Sequence, residues 1–245
     1  MNATLPSSLH VDSGRGFRSV QRQVLYLLRG LQARGTKVLL CCPKAGRLYQ
    51  HAQELGIPTE ALTIRSGMDF PSTVRLARLF AESHCDLVHA HDAASHTVAR
   101  AAQGVNPEQA PALGLIRSRY DLDEDEPLNR MQGAGGLMRW IVNAPRIRTH
   151  LENRGVPPQS IDVVPPAVDA AGLTDGPPDA ADPWGLRQRD APVVGTVGHL
   201  TRTKNVALLV QAFSRLRQAV PKAHLLLVGA GPQTRTLHKL TATLG

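Results

Sequence analysis

Short apolar runs alternate with longer stretches of helical period through residues 1–164, and this alternation restricts the fold more than any other feature of the chain. LHV (9–11), KVLLCC (37–42), EALTI (60–64), DLVHA (86–90), ALGLI (112–116) and IDVVP (161–165) have the length and aliphatic content of buried strands. Between the first two lies SVQRQVLYLLRGLQAR (19–34). Its Val24, Leu27, Leu28 and Leu31 fall at i, i+3, i+4 and i+7, and Gly35 suits a helix stop. Further helices are expected around 45–55, 71–83, 94–103 and 136–154. Strands joined by helical segments of this length pair in parallel through βαβ crossovers. The expectation is an α/β fold, with an N-terminal Rossmann-like domain (1–164) built on a doubly wound parallel sheet.

Residues 165–191 lose the apolar period and fill with Pro, Gly, Asp and Ala, the composition of a linker. The pattern restarts in 192–245 with PVVGTVG (192–198), a helix near 205–219, HLLLVG (224–229) and a last helix near 232–243. The 245 residues have room for two domains. Two parallel strands, however, make a poor core and leave an open edge. The second, partial Rossmann-like domain is therefore expected either to be truncated or to lean on the first domain or a partner.

Composition narrows the function. A hydrophobic share of 42% and a charged share of 20% suit an ordinary soluble globular chain. No apolar run approaches the length of a membrane span, and MNATLPSSLHVDSGRG lacks the regions of a secretory signal. Cys41, Cys42 and Cys85 are odd in number, and two adjacent cysteines in a strand point to opposite faces. That favours a reducing cytosol over a disulfide framework. The net charge of +8 points to anionic partners, but the cations are dispersed and aromatics are few, which argues against nucleic acid.

Six stretches carry polar residues suited to chemistry. GTVGHLTRTKN (195–205) leads from a strand through glycine to a helix start, a place where backbone N–H groups and cations suit a phosphate. His199, Arg202 and Lys204 stand there, and a solvated loop with two surface cations is the plainer alternative. SGRGFRSVQRQV (13–24) places Gly14 and Gly16 after the first strand and Gln21 near the start of the helix; a simple strand-to-helix turn explains them equally. HAHDAASH (89–96) sets His89 and His91 on one face of a strand with Asp92 at its end. A metal-dependent hydrolase using His89, His91 and Asp92 is one reading of that pattern, although HxHxDH is not matched. VGAGP (228–232) has the outline of a phosphate turn, or of an ordinary glycine turn. DLDEDEP (121–127) reads as a hydrated acidic loop, and RSRYD (117–121) follows a strand at the same end of the sheet.

HAHD, VPPQSIDVVPPAVD, VVGTVGHLTRTKNVALLVQAFSRL and AHLLLVGAGP occur in this order, and together they resemble the retaining GT-B glycosyltransferases of the family-4 type. DVVPPAVD is similar to the family's VIPNGVD, and VGHLTRTKN to its VGRLxxxKG loop; the likeness covers 5–245. The resemblance implies a GT-B-like fold and transfer of a sugar, with retention, from a nucleotide-sugar donor to an acceptor hydroxyl. It implies no metal and no cofactor. Lys204 becomes the donor-diphosphate lysine, His199 stands where the family has arginine, and Arg202 is the nearby substitute. Gly229 and Gly231 lie beside the nucleotide by the same likeness. His91 reaches the sugar as the catalytic-side histidine across an interdomain cleft, and Gly14, Gly16 and Gln21 form the glycine loop at that cleft. Arg18 and Ser19 occupy the family's Gly-Gly positions.

By resemblance the family continues roughly a further hundred residues, one ordinary domain's worth, and carries an E-x7-E region with no match after 232. This leaves two alternatives: a working transferase, or a non-catalytic GT-B-like remnant that binds a partner. A glycan or lipid-linked acceptor, a cytoplasmic location and peripheral contact with anionic lipid at the inner membrane face are the remaining expectations.

Overall fold

Seven parallel strands form the first sheet in the order β3-β2-β1-β4-β5-β6-β7. The structure, a computed structural model, describes residues 5–112, 114–119, 138–170, 185 and 191–244. The strands are β1 (Ser8–Val11), β2 (Val38–Cys42), β3 (Thr59–Ala61), β4 (Leu87–Ala90), β5 (Leu115–Arg119), β6 (Met138–Val142) and β7 (Ile161–Val163). The order reverses beside β1, so β1 and β4 are neighbours and the chain winds outward on either side of them, as in doubly wound folds. Helices α1 (Ser19–Ala33), α2 (Arg47–Glu54), α3 (Phe70–Ser83), α4 (Ala93–Val105) and α5 (Pro145–Asn153) connect the strands.

Residues of alternating parity on the central strands enter different cores. Leu9, Val11, Val88 and Ala90 pack with Leu76, Phe80, Val98 and Ala99 of α3 and α4. Val38, Leu40 and Cys42 pack with Val24, Leu25 and Leu28 of α1 and Leu48 of α2. Leu25, rather than the expected Leu27, completes the buried face of α1. Cys41 and Cys42 do point to opposite sides, one in each core, and all three cysteines are free and buried.

One expected helix is corrected. Residues 138–142 form strand β6, and the helix that was anticipated from 136 begins only at Pro145. The Trp140-Ile141-Val142 run has the bulky, β-branched content of a strand, and Pro145 at the first helical position marks a start, not an interior. Pairing with β5 and β7 then buries Trp140 and Val142. DLDEDEP, and Tyr120 and Asp121 of RSRYD, lie outside the described residues.

The chain divides into two compact units, 1–168 and 169–245. In the second, β8 (Val193–Val197) and β9 (His224–Val228) pair in parallel, followed respectively by α6 (Val206–Ala219) and α7 (Thr234–Leu244). Leu200, Val206, Val210 and Leu237 form its small core.

Candidate functional site

In the first unit the polar residues gather at the carboxyl ends of β1 and β4, where ligands collect in open α/β sheets. His10 is in register with His89 across the β1–β4 pair. His91 lies two residues beyond His89 on the same face of the chain. All three imidazoles are buried, with exposures of 1%, 3% and 2%. Nδ1 of His10 lies 3.1 Å from Nε2 of His91, and Nε2 of His10 lies 2.9 Å from Ser8 Oγ. The Nε2 atom of His89 meets Ser118 Oγ at 2.7 Å. Nδ1 of His91 is buried and has no hydrogen-bond partner among the described residues.

Burial disfavours the charged imidazolium and sets the electrostatics. It pushes the pKa of His10 down to about 3, and holds His89 and His91 well below the usual range with help from their imidazole neighbours. His96, on α4, is also pushed to about 3, first by burial and then by Arg117 and Arg100. Its ring tilts against Trp140 at 6.1 Å between centroids. The cluster is therefore neutral across physiological pH. It offers directional hydrogen bonds and no charge.

Asp12 ends β1 on the histidine side, 1% exposed. Burial and then the charge of Asp92 raise its pKa to about 7, against the lowering bonds from Gln21 and Gly14. Gln21 bridges two elements: its Nε2 donates to Asp12 Oδ2 at 3.2 Å, and its Oε1 accepts from the Arg18 backbone N–H at 3.1 Å. Gly14 N–H donates to Asp12 Oδ1 at 2.9 Å, and a β-carbon at Gly14 would land on the Gln21 amide. The glycine loop is thus tied to the end of β1 through one carboxyl group. Gly16 is exposed in the same loop, and Arg18 and Ser19 form the start of α1.

Asp92 does not join the histidines, which corrects the His89, His91 and Asp92 grouping. Its Oδ1 accepts from Ser13 Oγ and Ser95 N, and its Oδ2 from Ser13 N and Ser95 Oγ, at 2.6 to 2.9 Å. It is the N-cap of α4, the task for which short carboxylates are favoured. Among the described residues, the trio whose ring nitrogens approach within 4.8 Å of one another is His10, His89 and His91.

The second unit supplies charge. After β8 the chain forms a short turn, Arg202–Lys204, and Asn205 takes a left-handed conformation before α6. Arg202 and Lys204 are exposed, and neither makes an ion pair among the described residues. The loops after β8 and β9 are stitched together: Leu200 N–H donates to Ala230 O at 3.0 Å and Gln233 N–H to Leu200 O at 3.0 Å. His199 Nδ1 lies 2.7 Å from Ala230 O, which brings it against the Gly229–Gly231 turn. A ring that donates through Nδ1 to a carbonyl presents a lone pair at Nε2 unless it is protonated.

His10, Asp12, Ser118 and His96 were not anticipated as site residues. The signal for the first two was present as H-x-D at the end of the first strand, the same period-two spacing as His89 and His91. It became meaningful only with β1 placed beside β4.

A seven-stranded doubly wound parallel sheet followed by a second, two-stranded parallel βα unit has the organisation expected of a GT-B-like fold. The Glycosyltransferase Family 4 model matches residues 20–171 and the Glycosyl transferases group 1 model matches 182–245. The chain belongs to glycosyltransferase family 4. It is 34% identical over 112 residues to a D-inositol 3-phosphate glycosyltransferase of Segniliparus rotundus, covering 44% of this chain and 25% of that protein. It is 33% identical over 93 residues to a GDP-mannose-dependent alpha-(1-6)-phosphatidylinositol monomannoside mannosyltransferase of Mycolicibacterium smegmatis, covering 36% of this chain and 24% of that protein. Each match therefore spans about a quarter of the curated relative. Among solved structures, Anabaena HepE in complex with UDP-glucose superimposes with a TM-score of 0.77 at 19% identity, over 98% of this chain and 66% of that one. The lipopolysaccharide outer core galactosyltransferase WaaB superimposes with a TM-score of 0.69 at 16% identity, over 98% and 65%.

Proposed function

We propose that the chain serves a nucleotide-sugar glycosyltransferase that moves a sugar, with retention, from a nucleoside diphosphate donor to an acceptor hydroxyl. Arg202 and Lys204 supply fixed positive charge for the departing diphosphate, aided by backbone N–H groups around Gly229 and Gly231 and by His199. Charge placed where anion develops lowers the barrier without a metal. His91 gives a neutral hydrogen-bonding contact to the sugar, and the Gly14, Gly16 and Gln21 loop lets ligand approach the backbone. The donor class is supported by HepE, whose structures hold UDP-glucose, and by the GDP-mannose named for the mannosyltransferase relative.

The carrying observation is the joined pair of glycine turns beside two cations that make no ion pair among the described residues. Calorimetric titration of the 245-residue chain with UDP and GDP tests it. Lys204→Ala is expected to weaken diphosphate binding roughly tenfold, the worth of one charge-assisted contact. Binding that ignores this substitution refutes the placement. Diphosphate binding without sugar transfer by the 245-residue chain would favour the binding reading over catalysis by these residues alone.

Both curated relatives are named for inositol-containing acceptors, one of them a phosphatidylinositol mannoside. With a net charge of +8, the proposal includes a lipid-linked or glycan acceptor met by peripheral contact with anionic lipid on the cytoplasmic side. No helix among the described residues is long and apolar enough to cross a membrane. Cosedimentation with phosphatidylglycerol vesicles at low salt, lost at high salt, is the expected result; none at low salt refutes it.

A further inference from the structure

We propose that His10 is a positioning residue for His91, part of a Ser8–His10–His91 hydrogen-bond chain that fixes the proton of His91 on Nδ1 and makes that nitrogen a donor to a ligand oxygen. The inference rests on the transferase reading only for the identity of that ligand.

Two neutral imidazoles joined by one hydrogen bond share a single proton between the facing nitrogens. Here the facing atoms are Nδ1 of His10 and Nε2 of His91, 3.1 Å apart. If His10 Nδ1 carries the proton, His91 must carry its own on Nδ1. If His91 Nε2 carries it, His10 must be protonated on Nε2. The two rings are therefore coupled and hold their protons on like-named nitrogens.

Ser8 selects between the two states. Its hydroxyl is buried, and among the described residues it makes one hydrogen bond, to His10 Nε2 at 2.9 Å. Were His10 Nε2 the donor, the serine proton would be stranded in the interior and His91 Nδ1 would face a ligand oxygen lone pair to lone pair, whereas the other state leaves one buried donor, His91 Nδ1–H, that a ligand oxygen satisfies. With the hydroxyl donating, His10 Nε2 accepts, His10 Nδ1–H donates to His91, and His91 Nδ1–H is left as the chain's free end. That atom is buried and has no partner among the described residues. His89 cannot substitute, because Ser118 engages its Nε2 at 2.7 Å and its ring lies 4.2 Å from that of His91. The His10 and His91 rings lie 12° from parallel with centroids 5.3 Å apart, the nearly coplanar arrangement that an in-plane N–H···N bond requires. A donor N–H suits a sugar or phosphate oxygen, and it makes His91 a stabiliser of that oxygen, not a base that removes a proton.

Histidine-labelled protein, read by long-range 1H–15N correlation, reports the tautomer of each ring without any substrate. The His91 signals, assigned by their disappearance in His91→Gln, are expected to show the Nδ1–H pattern. Ser8→Ala removes only the hydroxyl and is expected to give a mixture of both tautomers at His91. His10→Phe is expected to abolish the pure Nδ1–H pattern, and His10→Asn, whose amide N–H replaces the lost donor, to restore it. An Nε2–H pattern at His91 in the parent chain overturns the proposal. So does an Nδ1–H pattern untouched by Ser8→Ala and His10→Phe. Joint displacement of all three ring signals by one equivalent of zinc chloride overturns it in favour of a metal site. Failure of UDP and GDP to bind would count against the transferase reading while leaving the tautomer result standing, so the two fail separately.

Discussion

The backbone of Gly229 is placed so that a β-carbon there would overlap the carbonyl oxygen of Gly198. Gly229 also takes φ of 147°, a conformation side chains rarely adopt. The obstacle is backbone, which cannot swing aside as a side-chain end could. Gly229→Ala is expected to destabilise the second unit by at least about 2 kcal/mol and to weaken UDP or GDP binding with it. Chemical denaturation followed by circular dichroism measures the first effect, and calorimetry the second.

Buried neutral histidines predict a steep acid limb. Because His10 and His96 fall from 6.5 to about 3 on folding, the unfolded chain binds more protons between those values. Their stability contribution is complete above pH 6.5 and is lost as pH falls toward 3. Together they give a slope of up to about 3 kcal/mol per pH unit, steepened by His89 and His91, which shift the same way. Urea titrations from pH 7 to 4, read by Trp140 fluorescence in a Trp184→Phe background, test it.

Asp12 produces the opposite limb. Its pKa rises from 3.8 to about 7, so the folded chain holds a proton that the unfolded chain has released. That contribution is complete below pH 3.8 and is lost as pH climbs through 7, to a total of roughly 4 kcal/mol. Asp12→Asn keeps an acceptor for Gly14 N–H and cannot ionise. It is expected to raise stability at pH 8 relative to the parent and to flatten the decline above pH 6.

His199 stands where the resembling motif carries arginine, and its Nδ1 is engaged by Ala230 O. A neutral ring so held turns a lone pair outward, the wrong polarity for a phosphate. His199→Arg is expected to tighten diphosphate binding at pH 8 by roughly tenfold. Equal or weaker affinity would place the diphosphate away from this turn.

The sequence alone determined that this is an α/β chain with parallel strands and a second βα unit, because the period of apolar residues is local and each element writes its own. It also determined the resemblance, since motif order needs no coordinates. Strand β6 was hidden where bulky residues ran directly into a helix, and only its neighbours, β5 and β7, made Trp140 and Val142 core residues. The candidate residues were legible in part, as residues and not as a tested site. His91 and the cations of the Arg202–Lys204 turn carried their own signals. The role of Asp92 did not: its fixed distance from His91 suggested a shared ligand, while the fold spends it on capping α4. Only the tertiary structure could decide that His10 belongs with His91, 81 residues away. Nothing in a strand's own sequence says which strand lies beside it; that is settled by how helices cover the two faces, and β1 against β4 is the pairing on which the neutral histidine cluster depends.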